Sequence, residues 1–333
     1  MSATGRGLRG VDGRSGRGGL VRRGAPIVVG LGLISGAVWV VVDRRDAIGE
    51  GLSHAAGSPW WAITLIVLFP ILSIVMTSCS LWLLTRRFGR VGFGEMNALV
   101  CGATLLNYLP MRPGLLGRLA YHKRVNGIAV RDSVRVLVEA VALSVFAAGL
   151  LLGLGLLDGM VRAQETGVSG GVGLDIGLLL VPVVVLGTAA AVLGVRHRGS
   201  AWCGVLAAAG VRYLDMLIWT GRYALLLWVL GTPVRLEVAV IIASLSQIAM
   251  LAPTGGGGFG VREWTVGLLG GSLGASLETA LVADLINRAA ELLVAVPMGL
   301  VGMGMVRKNL RLREPHELRE PREPDKTPPT SDG

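Results

Sequence analysis

The chain has 333 residues, 52% of them apolar and only 16% charged, with a formal net charge of +10. Soluble domains average roughly 25% charged residues, and the deficit here comes from long uncharged runs separated by short arginine clusters. The arginines sit at the ends of apolar runs, where membrane topology puts them, and no zinc-finger spacing or RNP-like aromatic motif accompanies them. The placement of the positive charge therefore argues against a nucleic-acid partner.

In chain order, residues 1–25 are rich in Gly and Arg and too polar to bury a core, which predicts a disordered basic tail. Pro26–Val42 is the first apolar run. It lacks an A-x-A-like site and is expected to be a retained span, not a cleaved signal. Further spans are expected over Trp60–Leu84, Val136–Leu157, Ile176–Val195, Tyr213–Leu230 and Leu277–Val306. Two runs, Met96–Leu109 and Val238–Ala252, have only 14 and 15 residues and each ends in proline and glycine, a length that suits re-entrant or broken helices. Residues 307–333 are charged and proline-rich and read as a second disordered tail. Cys79, Cys101 and Cys203 lie in or beside apolar segments and read as packing residues.

The positive-inside rule arbitrates the topology. If both short runs return to the side they entered, cytoplasmic segments hold 25 Lys and Arg and external segments hold 5. If both cross, the split falls to 18 against 12. The expected fold is therefore all-α and polytopic, with six full spans, two re-entrant helices and both termini cytoplasmic; eight spans is the alternative. An odd number of crossings in each half makes the halves, about 26–157 and 176–306, inverted. Pro110, Gly114 and Gly117 match Pro253, Gly257 and Gly260 at a constant offset of 143, as an inverted-repeat transporter would require.

Two segments carry candidate chemistry: Asn107–Arg118 (NYLPMRPGLLGR) and Leu251–Glu263 (LAPTGGGGFGVRE). In each, an apolar run breaks at proline, passes through glycines and reaches an arginine. Broken helices expose unpaired N–H groups and a positive dipole end, and glycine allows close approach of a ligand. Such a site suits an anionic headgroup, with Arg118 or Arg112 as phosphate clamp and Asn107, Gly114, Gly257, Gly258, Gly260, Arg262 and Glu263 around it. The competing reading is that these are interfacial loops whose basic residues, Lys123, Arg124 and Arg131 above all, mark the cytoplasmic side. No βαβ context or Gly-Lys-Ser/Thr makes the glycines a nucleotide loop.

Charges within spans form a second line of argument, because a charged side chain at a helix centre costs about 2.5–3.5 kcal/mol on insertion scales. At 100° per residue, Arg212, Asp215, Trp219 and Arg222 fall within about 80°, and Asp284, Arg288 and Glu291 share one face. Arg222 and Arg288 are expected to contact a headgroup, with Glu139, Asp215, Asp284, Glu291 and Glu263 balancing charge or binding a coupled proton. Plain salt bridging, with Asp284 neutralising Arg288, is the alternative. The four histidines, His54, His122, His197 and His316, have no metal-ligand spacing, and no G-x-S-x-G elbow occurs. No catalytic residue, metal or cofactor is therefore expected, and a membrane-embedded transferase using Glu263 or Glu139 as base is the lesser reading.

At its two broken segments the chain resembles the transmembrane, flippase-like region of lysylphosphatidylglycerol synthases and its stand-alone relatives. The family's N-x-x-P-x-x-x-G-x-x-x-R block is matched by Asn107, Pro110, Gly114 and Arg118, and its G-G-x-G-x-x-E block by Gly257, Gly258, Gly260 and Glu263. The likeness covers about residues 26–306. It departs at Leu115, where the family usually carries an acid, and at Glu139-Ala140, where it often has Glu-Arg. The synthases' soluble aminoacyl-transferase domain has no counterpart in the 27 residues after the last span. The resemblance implies lipid handling or translocation across a bacterial cytoplasmic membrane, without lysyl transfer. An accessory subunit that presents lipid to a glycosyl- or aminoacyl-transferase partner is the alternative role.

Overall fold

The structure is a computed structural model that describes Ser53 and residues 55–109, 113–166, 176–196, 201–251 and 260–317. The expected span Pro26–Val42, both ends of the chain, and Pro110, Arg112, Pro253, Gly257 and Gly258 lie outside the described residues.

The fold is all-α, with no strand among the described residues. The described residues form nine helices, in order α1 (Trp60–Thr85), α2 (Phe93–Leu106), α3 (Pro113–Val125), α4 (Val130–Thr166), α5 (Ile176–Arg196), α6 (Ala201–Val229), α7 (Leu236–Ala249), α8 (Val261–Ser272) and α9 (Leu277–Glu317). Four are long and apolar enough to cross a membrane: α1, α4 over Val130–Leu157, α6 over Trp202–Val229 and α9 over Leu277–Arg311. Helix α1 holds 26 residues without a charge, about 39 Å of helix against a hydrocarbon core of about 30 Å.

The distribution of side chains supports a membrane location. Large apolar residues face outward, among them Val138, Val145, Val184, Leu293 and Val301, whereas Asp215, Arg222, Arg262, Glu263, Asp284 and Arg288 are buried. A soluble protein rarely exposes so much contiguous apolar surface; an apolar exterior around a charged interior is the arrangement lipid favours.

Helices α1 and α6 are antiparallel neighbours over their whole length. Trp61 stacks on Trp228 near one end, with ring centroids 5.5 Å apart. Ser73 meets Asp215 and Thr77 meets Arg212 at the centre, and Gly204 lies against the Leu83 carbonyl near the other end.

Around this pair the helices form two sets of the same order: long, short, short, long. The lengths are 26, 14, 13 and 37 residues for α1–α4, and 29, 14, 12 and 41 for α6–α9. Helices α2 and α7 are displaced by 143 positions at both ends, the offset at which the prolines and glycines match. Packing is reciprocal, since α2 lies on α9 and α7 lies on α4.

Helix α3 runs back along α2. Gly114 faces Ala103 at the inner end, and Tyr121 and Asn126 donate to Glu95 Oε1 at the outer end, at 2.9 and 3.0 Å. The chain thereby returns to the end of the bundle it left, where Gly89 touches Ile128 and Arg87 pairs with Glu139. In the second set, α8 lies antiparallel on α9, from Glu263 against Arg288 to Gly270 against Ala280.

Three elements extend well past the apolar runs that mark them, α4 among them, since it covers Val130–Thr166 against a run of Val136–Leu157. Helix α9 continues eleven residues beyond Val306 to Glu317, and α6 begins twelve residues before Tyr213. Arg307, Lys308 and Arg311 end the hydrophobic run without ending the helix, because straight-chain basic residues have good helix propensity.

Candidate functional site

The inner ends of the two short helices meet at one cavity of about 300 Å³ in the middle of the bundle. Helix α2 contributes Thr104, Asn107 and Tyr108, and α7 contributes Gln247 and Met250. The walls come from α1 (Pro70, Ser73, Thr77), α6 (Arg212, Asp215, Trp219, Arg222) and α9 (Arg288, Glu291). Pro70, within α1 beside the cavity, cannot donate the helix hydrogen bond that other residues make.

Behind the lining residues lies a dense ion-pair network. Arg262, at 0% exposure, donates through Nε and Nη2 to Asp284 Oδ1 at 3.0 and 2.7 Å. Its Nη1 reaches both oxygens of Glu291 at 3.2 Å. Arg222 donates to Glu291 Oε1 at 2.9 Å and also to Asn287 Oδ1. Arg288 donates to Glu263 Oε1 at 3.1 Å, and the Tyr223 hydroxyl donates to Asp284 Oδ1 at 2.8 Å.

Toward α1, Arg212 pairs with Asp215 at 2.9 Å and donates to Thr77, while Ser73 donates to Asp215 at 2.6 Å. Trp219 joins the two groups. Its Nε1 donates to Ser73, and the guanidinium carbons of Arg222 and Arg262 lie 4.3 and 5.0 Å from its ring centroid. Such cation–π contacts strengthen on desolvation, to about 2 kcal/mol.

In this network Arg212, Arg222, Arg262 and Arg288 face Asp215, Glu263, Asp284 and Glu291, so the formal charges cancel. Buried charges persist only when paired in this way. Several polar atoms have no partner among the described residues, namely Asn107 Oδ1, Arg212 Nε, Asp284 Oδ2 and Asn287 Nδ2. Buried polar atoms in folded proteins almost always have partners, so those at the cavity are positions where a ligand group would be favoured.

Helix α8 carries Arg262 and Glu263 into place through its first turn. Gly260, at φ 84°, precedes it, and the Gly260 N–H donates to Glu263 Oε2 at 2.7 Å. The same carboxylate thus caps the helix and holds Arg288. A residue with Cβ is strained at this φ by about 1–2 kcal/mol, so Gly260→Ala is expected to lower stability by that amount in a denaturant titration in detergent. An unchanged midpoint would show that the capped turn can relax.

The structure thus brings together Asn107, Asp215, Arg222, Arg262, Glu263, Asp284, Arg288 and Glu291. Asp284 pairs with Arg262 of α8, not with Arg288 four residues along its own helix. Glu139 stands apart, bound by Arg87 and by Arg135 at 3.0 Å where α1 ends and α4 begins. It therefore contributes no charge to the central network. Gly114 lies at the helix contact described above, and Arg118 of α3 lines a neighbouring, mainly apolar pocket. Tyr108, Tyr223, Gln247, Asn287, Ser73 and Thr77 carry no charge signal in the sequence and emerge only from the packing.

At the outer end of α3, His122 is buried beside Asn126. Burial pushes its imidazole below the usual value, and the Asn126 hydrogen bond at 3.1 Å opposes that shift.

Searches against known protein families, curated proteins and solved structures find no match for this chain.

Proposed function

We propose that this chain is a flippase-like membrane protein, related to the transmembrane region of the lysylphosphatidylglycerol synthases, that binds a lipid or lipid-linked substrate and carries its headgroup across a bacterial cytoplasmic membrane. The observation that carries this reading is the polar, charge-balanced cavity at the inner tips of α2 and α7, enclosed by helices whose outer faces are apolar. A polar headgroup crossing a bilayer needs such a hydrated, hydrogen-bonding station near the midplane.

The arrangement of helices supports two inverted halves around that station. Helices α1 and α6 are counterparts in the two sets and run antiparallel, as an in-plane two-fold requires. The swapped packing of α2 on α9 and α7 on α4 obeys the same exchange. The return of α3 along α2 favours re-entrant hairpins, and with Pro26–Val42 and α5 as spans the count is six. The Lys and Arg distribution then sets both termini in the cytoplasm. Transport would proceed by rocking of the halves about the α1–α6 pair.

Reconstitution in liposomes tests this reading, with labelled anionic, zwitterionic and polyprenyl-phosphate lipids as probes. One lipid class is expected to be translocated by the wild-type chain. Asn107→Ala and Gln247→Ala, which break no ion pair, should slow it on the order of tenfold by removing headgroup hydrogen bonds worth about 1.5 kcal/mol each. Arg288→Ala should abolish it. Absence of transport of every lipid by folded protein would overturn the translocation reading and leave lipid presentation to a partner transferase.

A further inference from the structure

A second pocket, of about 260 Å³, adjoins the central cavity and shares Thr77, Asn107, Arg212, Gln247 and Met250 with it. Its remaining walls are mainly apolar, including Leu137, Val141 and Val145 of α4, and Ile248 and Leu251 at the end of α7. Val141, Val145, Ile248 and Leu251 are also exposed on the outer surface, between 38% and 43%. The pocket therefore lies between the apolar exterior and the polar interior.

Two arginines line it, and they are used unequally. Arg212 spends Nη1 on Asp215 and Thr77, and its buried Nε has no partner among the described residues. Arg118 has neither an ion pair nor a hydrogen bond among the described residues, yet it is close enough to Arg212 to feel its charge. A guanidinium in an apolar-walled pocket without a carboxylate is costly, and a second one nearby raises the cost. An anion between them removes both penalties. Phosphate suits the guanidinium fork, which donates two parallel hydrogen bonds.

Moving inward, the order is apolar wall, arginine pair, then a charge-balanced cavity with the unsatisfied acceptor Asn107 Oδ1 and the amide of Gln247. From this order we infer the substrate class: an amphiphile whose apolar chain is joined through a single phosphodiester to an uncharged polyhydroxyl head. The chain lies along α4 and α7, the phosphate sits between Arg118 and Arg212, and the head occupies the 300 Å³ cavity. Because the charges of the network already cancel, a cationic head would meet no surplus carboxylate there, and hydroxyls are the groups that Asn107 and Gln247 satisfy. Phosphatidylglycerol and a polyprenyl-phosphate hexose share this chemistry. The inference rests on the lipid-binding reading given above.

The experiment is binding of a defined lipid series to the full chain in nanodiscs of neutral lipid. The probes are phosphatidylglycerol, a polyprenyl-phosphate hexose, lysyl-phosphatidylglycerol and glucosyl diacylglycerol, which lacks the phosphate. One or both phosphodiesters with uncharged heads should bind most tightly, and which of them does so identifies the apolar chain. Arg118→Ala should weaken that binding on the order of tenfold or more, with Arg118→Lys partly restoring it and neither variant unfolding below the wild-type temperature. Glucosyl diacylglycerol should bind weakly and be insensitive to Arg118. Tightest binding of the lysyl lipid, or of the phosphate-free lipid, would overturn the inference while sparing lipid binding. So would binding indifferent to Arg118→Ala. Failure of all four lipids to bind folded protein would remove the lipid-binding reading itself.

Discussion

Replacing Arg262 with alanine is expected to destabilise the protein by about 3–5 kcal/mol, the range for removing one partner of a buried ion pair. Arg262 is the best-connected cation in the network. It holds Asp284 through two nitrogens and Glu291 through a third, while its guanidinium lies over Trp219. Without it, Asp284 is a fully buried carboxylate whose remaining bond is to the Tyr223 hydroxyl. Glu291 is affected less, because Arg222 and Arg288 still face it.

That difference makes the prediction specific. Adding Asp284→Asn to Arg262→Ala should recover much of the loss, by removing the orphaned charge. Glu291→Gln in the same background should recover little. Arg262→Lys should fall between, since an ammonium cannot bridge both carboxylates with a fixed fork. A looser pair provides the scale: Arg235, 63% exposed, approaches Glu237, 14% exposed, only to 3.9 Å, and Arg235→Ala should cost less than Arg262→Ala because solvent already screens the guanidinium. Denaturant titration in detergent would measure all of these. Arg262→Ala within 1 kcal/mol of wild type would mean that water reaches the network and screens it.

The legibility of this architecture in the sequence followed hydropathy and failed where hydropathy is silent. Helix α1 is written plainly, as 26 residues without a charge. The 14-residue limit on α2 and α7 was also visible, because Pro110 and Pro253 interrupt apolar runs too short to span. Helix α3 was not visible, since three basic residues and a histidine make Pro113–Val125 polar overall, and it is a helix because it packs along α2. Helix α8 opens from a glycine-rich segment whose composition suggests a loop.

Within the site, helical spacing put Asp215 and Arg222 on one face and Asp284, Arg288 and Glu291 on another. Spacing alone matched Asp284 with Arg288, the neighbour one turn away. The antiparallel register of α8 on α9 instead gives Asp284 to Arg262 and Arg288 to Glu263. Partner choice between helices is a tertiary property, and no periodicity within one helix encodes it. Glu139 illustrates the same limit: its charge near the start of an apolar run suggested a charge-balancing role at the site, but its partner Arg87 lies just past the end of α1.

Gly114→Ala is expected to cost about 3 kcal/mol, the upper part of the usual range for overpacking, and to impair substrate binding as well. A Cβ at Gly114 would lie 2.2 Å from the Ala103 carbonyl oxygen and 2.7 Å from the Ala103 Cα. Both are main-chain atoms within α2, so no side chain can turn aside, and α3 must move bodily away. Helix α3 carries Arg118 four residues later, so the shift would also displace that guanidinium from the pocket it shares with Arg212. Gly117→Ala is the internal control: it lies on the same helix, with nothing within 4 Å of its Cβ. Helix propensity alone should make it neutral or stabilising, by up to about 1 kcal/mol. The two substitutions add the same methyl group three residues apart, so opposite signs isolate the α2–α3 contact from any effect of losing a glycine. Equal and small effects would show that α3 does not rest on α2 at Ala103, and the hairpin that returns the chain to its starting side would lose its closest contact.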